Sequence, residues 1–291
     1  MPVHPPKLSL VRWTFLSKYL GRQQEVNILL PGGCFSNCSE GASRPYKVLW
    51  LLHGKGDDYN SWLRNSIVEN LARKYQIAII MPDGGNSFYC NMVNGPEYYS
   101  YICEELPELL PAFLPLSTSR NDQFIAGLSM GGYGALKIAL RQPERFSAVG
   151  SFSGVLNISD RFKKGTVLPF EQGQNSDQIL EGHDLEAIRF QKKQDLNILI
   201  NAFGSNPDFK TNHEDIFQLL DNLKADKVPS IFLSCGRQDP LFQDSLQFEK
   251  KLQGKGISCK SNWMEGDHSW DVWNLSILYF FNFLNEKGLI Q

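Results

Sequence analysis

The chain has 291 residues, of which 42% are hydrophobic and 21% are charged, and its formal net charge is −2. The hydrophobic fraction is typical of a globular protein with a large core, and the nearly balanced charge gives no basic surface of the kind that binds nucleic acid or anionic membranes. No stretch has the roughly 18 or more uncharged apolar residues that a membrane-spanning helix needs. We therefore expect a soluble protein that binds neither nucleic acid nor a membrane.

The cysteines and the first residues bear on the cellular compartment. The six cysteines form no Cys-x-x-Cys motif and no metal-ligand spacing with histidine; they are Cys34, Cys38, Cys90, Cys103, Cys235 and Cys259. We therefore expect reduced thiols and no metal site. Residues 1–7 lack the apolar core and the cleavage site of a secretory signal. Both features favour a cytoplasmic protein.

Strand and helix patterns alternate along most of the chain. Short apolar runs that are typical of strands occur at residues 8–14, 24–30, 47–52, 77–81, 123–126, 148–152, 230–235 and 257–263. Helical patterns occur at residues 67–75, 98–113 and 134–140. This alternation predicts an α/β fold with a mostly parallel central sheet and helices on both faces, in which the first two strands form an antiparallel edge.

A polar stretch at residues 154–227 interrupts this alternation. It contains helical patterns around residues 185–189 and 213–224. The stretch lies between a strand and the functional loop that follows the next strand, where α/β folds of this type commonly carry an insertion. We therefore expect a small cap insertion at about 155–227, within a single domain that spans residues 1–291.

The most informative motif is Gly-x-Ser-x-Gly, which is formed by Gly127, Ser129 and Gly131. A predicted strand enters it and a predicted helix leaves it, which is the context of a nucleophile elbow in an α/β-hydrolase fold. So tight a turn imposes a strained backbone on the serine, and a side chain at either glycine would collide with neighbouring backbone. We expect Ser129 to be a nucleophile at the carboxyl end of the sheet.

A serine nucleophile needs a base, and the base needs an acid that holds it in the right tautomer. In this fold the acid and the histidine follow the serine in that order, on loops after later strands. His268 lies just after the last predicted strand, and Asp239 lies in the loop after the preceding one. Other nearby acids lie too close to His268 in sequence or in the next helix; they are Asp267, Asp271 and Asp244. The predicted catalytic triad is therefore Ser129, Asp239 and His268.

Two backbone N–H groups are needed to bind the oxyanion of the tetrahedral intermediate. One belongs to the residue after the nucleophile, Met130, and the other comes from the loop after an earlier strand. That loop begins at His53, and the amide of Lys55 is the predicted second donor, with Gly54 as the alternative. We expect His53 to support the loop by hydrogen bonding and not to act as a base.

Several segments resemble one branch of the α/β-hydrolases. They are Leu-Leu-His-Gly-Lys-Gly at 51–56, Asn-Ser-Trp at 60–62, Met-Pro-Asp-Gly-Gly-Asn-Ser at 81–87, the elbow at 127–135 and Ser-Phe-Ser-Gly at 151–154. From about residue 8 to residue 285 the chain resembles the esterase D branch, and it is most similar to bacterial tributyrin esterases, which are small intracellular carboxylesterases. The resemblance implies the same triad and oxyanion donors, with no cofactor.

We therefore expect a serine carboxylesterase that hydrolyses short-chain acyl esters of small molecules through an acyl-enzyme. The residues expected to line its substrate pocket are Gly54, Trp62, Tyr89 and Trp270. The same branch also includes S-formylglutathione hydrolases, acetyl xylan and feruloyl esterases, and mycolyl transferases. A non-catalytic binding protein of this fold would be marked by loss of a triad member, and all three are present. The sequence leaves open whether the chain is a monomer or a homo-oligomer.

Overall fold

The computed structural model describes residues 8–32, 45–164, 182–209 and 212–291, with the backbone alone at 182–188. Its centre is one twisted sheet. The strands are β1 (Leu8–Leu16), β2 (Gln23–Pro31), β3 (Val48–Leu52), β4 (Ala78–Pro82), β5 (Gln123–Leu128), β6 (Ala148–Phe152), β7 (Ser230–Gly236) and β8 (Cys259–Met264). Each predicted strand is present, and its bounds agree with the prediction to within two residues.

The strands are ordered β1-β2-β4-β3-β5-β6-β7-β8 across the sheet. β2 pairs antiparallel with β1 and with β4, and all pairs from β4 through β8 are parallel. The predicted antiparallel edge is therefore confirmed. Because β5, β7 and β8 point the same way, the loops that follow them meet at one edge of the sheet.

Helices cover both faces of the sheet. They are α1 (Ser61–Asn65), α2 (Val68–Tyr75), α3 (Tyr98–Ser100), α4 (Leu106–Phe113), α5 (Met130–Arg141), α6 (Ile158–Lys164), α7 (Gly182–Phe203), α8 (Ile216–Asn222), α9 (Phe242–Gly254) and α10 (Trp270–Glu286). A π-helical turn at Tyr101–Glu105 joins α3 to α4, so residues 98–113 wind continuously as predicted. The short helices α1 and α6 and the long α10 were not predicted.

Two apolar layers hold the helices against the sheet. In β3, Val48, Trp50 and Leu52 belong to the cluster on one face, while Leu49 and Leu51 belong to the cluster on the other. This division follows from the alternation of side chains along a strand. It explains why the central strands appear in the sequence as continuous apolar runs, since both of their faces are buried.

The segment between β6 and β7 carries α6, α7 and α8, which occupy about half of the predicted cap region at 155–227. Residues 165–181 and 210–211 of that region lie outside the described residues. The helical pattern recognised at 185–189 is a fragment of the much longer α7. Its amino-terminal half is mostly solvent-exposed on the side chains that are described, so it lacks the apolar periodicity by which a long helix is recognised.

Among the described residues, no helix combines the length and the apolarity that crossing a membrane requires. Cys90, Cys103, Cys235 and Cys259 are free thiols. Cys34 and Cys38, the one close pair in the sequence, lie outside the described residues.

Candidate active site

Ser129 occupies the turn between β5 and α5. Its backbone has φ 52° and ψ −117°, a conformation that non-glycine residues rarely adopt. The Ser129 N–H donates to the carbonyl of Phe152 at 2.8 Å, and the Ser129 carbonyl accepts from Gly132 at 3.0 Å and from Val155 at 3.2 Å. Backbone hydrogen bonds to the end of β6 and the residues after it thus hold the strained turn in place.

The two glycines of the motif are required by close backbone approach. A Cβ at Gly127 would collide with the carbonyl oxygen of Gly131. A Cβ at Gly131 would lie 2.5 Å from the carbonyl oxygen of Leu52 and 2.6 Å from that of His53. Both obstacles are backbone atoms that cannot turn aside. The prediction that side chains at these glycines would collide with neighbouring backbone is therefore confirmed.

Ser129, His268 and Asp239 lie in hydrogen-bonding contact. The distance from His268 Nε2 to Ser129 Oγ is 3.0 Å, and that from His268 Nδ1 to Asp239 Oδ2 is 2.8 Å. The Asp239 side chain is fully buried, and its second oxygen accepts the Leu241 N–H at 2.8 Å. A carboxylate fixed in this way holds the histidine proton on Nδ1 and leaves Nε2 free to accept the serine proton.

The other acids near His268 take no part in this contact. Asp244 lies on α9, where its carboxylate is buried against Arg161 with an Nη2–Oδ1 distance of 2.6 Å. Asp267 and Asp271 are exposed. The structure therefore brings together the three residues that strand order selected.

The loop after β3 passes beside Ser129. A Cβ at Gly54 would lie 3.5 Å from the Cβ of Ser129. His53 is buried, and its Nε2 accepts the Gly84 N–H at 2.8 Å. Its Nδ1 must therefore carry the proton, which it donates to the carbonyl of Gly54 at 2.8 Å. The prediction that His53 supports the loop is confirmed.

This bond from His53 also orients Lys55. The Gly54 carbonyl and the Lys55 N–H belong to one trans peptide unit and point in opposite directions. Fixing the carbonyl therefore fixes the direction of the N–H. Met130 is the first residue of α5, so its N–H has no acceptor within the helix and lies at the positive end of the helix dipole.

The chain matches a protein family along most of its length. An esterase family model, described as "Putative esterase", matches residues 17–281 of this chain. The chain belongs to this esterase family. Among curated relatives, the acetyl esterase of Caldicellulosiruptor saccharolyticus is 28% identical over 289 residues, which cover 96% of this chain and 99% of that protein.

Two solved structures extend this result to the fold. The fluorophosphonate-binding serine hydrolase FphF of Staphylococcus aureus, with substrate bound, has a TM-score of 0.79 at 29% identity, covering 97% of this chain and 99% of its own. The S-formylglutathione hydrolase FrmB of the same organism has a TM-score of 0.76 at 28% identity, covering 96% and 99%. The α/β-hydrolase fold is thereby confirmed for this member of the esterase family.

Two of the residues expected to line the pocket lie in the core of this esterase fold instead. Trp62 is 1% exposed and Tyr89 is 0% exposed, so neither side chain borders open space that a substrate could fill. The Trp62 Nε1–H donates to the Leu52 carbonyl at 3.0 Å, and the Tyr89 hydroxyl donates to the His53 carbonyl at 2.7 Å. Burial raises the pKa of Tyr89 well above its ordinary value, which keeps this donor protonated.

Trp270 is partly exposed and belongs to an aromatic row that ends at the histidine. Its ring meets that of Trp62 at 5.2 Å and that of Trp273 at 5.3 Å, and Trp273 meets His268 at 4.9 Å, all edge to face. This row packs behind His268 and restricts the orientation of its ring. Gly54 remains beside Ser129, where a pocket residue is expected.

The loop after β4 also supports the site, and sequence reasoning missed its role. Gly84 donates to His53, and the Asn86 side-chain oxygen accepts the Gly56 N–H at 2.8 Å. The signal was present in the Gly-Gly-Asn-Ser of residues 84–87, a polar turn directly after a buried strand.

Among the described residues, no group of three or more His, Cys, Asp or Glu side chains is arranged to hold a metal ion.

We expect Gly131→Ala to lower ester hydrolysis strongly, because the new Cβ would meet two backbone carbonyl oxygens at 2.5 and 2.6 Å. Displacing α5 from β3 shifts Ser129 against His268, and a misplacement of about 1 Å can cost about 10²-fold in rate. Turnover of p-nitrophenyl acetate and the thermal midpoint measure this effect.

Gly254→Ala is the matched control. Gly254 ends α9, and a Cβ there would meet nothing within 4 Å. This variant should keep full turnover and unfold at the same temperature or slightly higher, since alanine favours a helix by about 1 kcal/mol over glycine. Equal activity of the two variants would contradict the packing argument.

Proposed function

We propose that this protein is a serine carboxylesterase that hydrolyses short-chain acyl esters through an acyl-enzyme on Ser129. The observation that carries the proposal is the continuous chain of contacts from Ser129 Oγ through His268 to the buried Asp239 carboxylate. Membership of the esterase family and full-length similarity to an acetyl esterase support it.

Each step of the reaction has a group to perform it. His268 Nε2 takes the proton of Ser129 as the oxygen attacks the ester carbonyl carbon, and Asp239 stabilises the imidazolium that forms. The same proton then passes to the alkoxide, which leaves as the alcohol. Water attacks the acyl-enzyme while His268 again acts as the base, and the carboxylic acid leaves with Ser129 restored. The mechanism requires no metal and no cofactor.

The backbone amides of Met130 and Lys55 are the proposed oxyanion donors. The Met130 amide lies at the amino terminus of α5, where the helix dipole favours negative charge. The Lys55 amide belongs to the peptide that His53 orients, in the loop whose Gly54 lies beside Ser129. Donors that are fixed before the charge develops lower the barrier without reorganisation, and one such donor is typically worth about 10²–10³ in kcat.

Ser129→Ala should abolish hydrolysis of p-nitrophenyl acetate, leaving at most the roughly 10³–10⁴-fold catalysis over water that disarmed triads retain. A fluorophosphonate probe should label the wild-type protein on Ser129 and should not label the variant. Ser119→Ala, an exposed serine before the other end of β5, is the control and should be fully active. Normal turnover by Ser129→Ala would show that the nucleophile is another residue.

Asp239→Asn should keep the fold but lower kcat by about 10²–10⁴-fold. The asparagine oxygen can still accept the Leu241 N–H, so its amide nitrogen would face His268 Nδ1 as a donor. The imidazole would then carry its proton on Nε2 and could not accept that of Ser129. Kinetics and the thermal midpoint of Asp239→Asn are compared with those of Asp267→Asn, an exposed acid beside His268. A larger loss in Asp267→Asn would overturn the assignment of the acid.

Within the esterase family we propose the short-chain specificity that is typical of bacterial tributyrin esterases. We further propose a cytoplasmic protein of one domain, with a cap at about 155–227 and a small-molecule ester as its substrate.

A second candidate activity is thioester hydrolysis, because FrmB, which is 28% identical across 96% of this chain, is an S-formylglutathione hydrolase. Turnover of S-formylglutathione beside p-nitrophenyl acetate distinguishes the two. Acetyl xylan and feruloyl esters are the further alternatives.

The length of the acyl chain provides the test of substrate class. Each buried methylene contributes about 0.8 kcal/mol, so kcat/KM should rise up to ~4-fold per carbon while the pocket fills. Past the end of a short pocket, added carbons clash or stay in water. On p-nitrophenyl esters from C2 to C12 we expect an optimum between acetyl and butyryl. A rate still rising at C10 would indicate an open, lipase-like cleft and would leave the triad untouched.

A further inference from the structure

Lys55 forms an ion pair with an acid that is distant in sequence. Its ammonium lies 2.6 Å from Oδ1 of Asp195, a residue of α7 between β6 and β7. The lysine side chain is 17% exposed and the aspartate side chain 4% exposed, so solvent and salt screen this pair little. The same oxygen accepts a hydrogen bond from the side chain of Gln191, one turn earlier on α7, at 2.9 Å.

The place of Asp195 on its helix is unusual. The side chains from Arg189 to Gln194 are all exposed, as are those of Leu196 and Asn197. Further along α7 the buried positions are Leu199, Ala202 and Phe203, which are apolar. Asp195 continues that buried stripe at helical spacing, so a charged side chain stands where the pattern of the helix calls for an apolar one.

A carboxylate at such a position is unfavourable unless a specific partner compensates it. One such partner is Lys55, whose own amide is a proposed oxyanion donor. The pair therefore joins α7 to the residue that must be placed most accurately in the loop after β3. At its other end, α7 is already fixed, because Val93 and Asn94 donate to the carbonyls of Ala202 and Asn201 at 3.2 and 2.9 Å.

Within the loop, the direction of the Lys55 N–H is set through the Gly54 carbonyl, which accepts from His53 Nδ1 at 2.8 Å. Residues 54–57 form a turn whose closing bond, from the Asp57 N–H to the Gly54 carbonyl, is 3.3 Å long. Gly56 within the turn has φ +81°, and its N–H is held by Asn86. These contacts all lie within the loop or come from its immediate neighbours, whereas the lysine side chain adds a restraint from a separate helix.

We propose that the Lys55–Asp195 ion pair holds the Lys55 amide in its oxyanion-binding position, which makes Asp195 a positioning residue for the reaction. The inference rests on the proposed function and extends it to a residue of α7. In this role Asp195 acts on the reaction through Lys55. The restraint matters most in the transition state, when the oxyanion forms.

The experiment compares Lys55→Met, Asp195→Asn, the double variant and Lys55→Arg by steady-state kinetics on p-nitrophenyl acetate. Each of the first two should lower kcat about 10-fold with KM changed less than about three-fold, because a loosened donor is worth less than its full 10²–10³. The double variant should be no slower than either single variant, since both break one interaction. Lys55→Arg keeps the charge and should recover most of the rate.

A second readout separates positioning from general stability. The inhibition constant of a trifluoromethyl ketone analogue, which forms an oxyanion on the serine, should rise by the same factor as kcat/KM falls. Lys251→Met is the matched control, because Lys251 pairs with Asp221 at 2.7 Å on the surface, between α9 and α8. It should leave kcat and the inhibition constant unchanged.

Two results would overturn the inference. One is a kcat within two-fold of the wild type in Lys55→Met and Asp195→Asn, even if their thermal midpoints fall. The other is additive losses in the double variant. If Asp195→Asn does not fold, Lys55→Met and Lys55→Arg decide the question by the kinetic criteria. A wild-type protein without ester turnover or fluorophosphonate labelling would instead refute the proposed function, which is a separate outcome.

Discussion

The turn at Ser129 depends on three parts of the sheet approaching one another through backbone atoms alone. Gly131 of α5 lies against the carbonyl oxygens of Leu52 and His53 at the end of β3. Ser129 itself is bonded through its N–H to the end of β6. No side chain separates these segments, so the strained conformation of Ser129 is held by contacts that cannot relax independently. The position of Ser129 and that of the loop after β3 therefore depend on each other.

That coupling explains why so many buried polar groups surround the end of β3. The carbonyls of Leu52, His53 and Gly54 each accept a side-chain hydrogen bond, from Trp62, Tyr89 and His53 respectively. A chain leaving a sheet has backbone groups without ladder partners, and burial makes each unpaired group costly. Because every donor is a large, fixed side chain, satisfying these carbonyls also removes the freedom of the loop. Trp62 and Tyr89, which were expected to line the pocket, thus hold the backbone of this loop in place.

The sequence was sufficient for the parts of the molecule that follow local rules. The strands were predicted because their apolar runs are continuous, and the triad was predicted because strand order places Ser129, Asp239 and His268 at one edge of the sheet. Trp62 and Tyr89 were misjudged because an aromatic residue near a loop has the same sequence signature whether it lines a pocket or anchors a core. The contact between Asp195 and Lys55 was not predicted for a related reason. An acid in a polar helix is ordinarily solvated, and only the fold shows that this one meets Lys55.

The segment between β6 and β7 is attached to the rest of the protein in a distinct way. Its composition is polar, yet apolar side chains of α7 and α8 such as Leu199, Ile216 and Leu220 are buried in the core. In addition, buried ion pairs between described residues connect it to its surroundings; they are Arg161–Asp244, Lys137–Glu214 and Lys55–Asp195. Arg161 Nη2 lies 2.6 Å from Oδ1 of Asp244 on α9, and Glu214 Oε2 lies 2.5 Å from Nζ of Lys137 on α5.

Ion pairs of this kind contribute little net stability, because desolvation offsets most of their attraction, but a broken one leaves a buried charge. Each pair therefore requires the segment to lie where the charge meets its partner. An apolar interface would tolerate small slides of these helices, whereas a charge must meet its partner within hydrogen-bond distance. In the region where the proposed cap lies, these pairs therefore fix where the helices meet the rest of the protein, and the Lys55 pair is the one that reaches a proposed oxyanion donor.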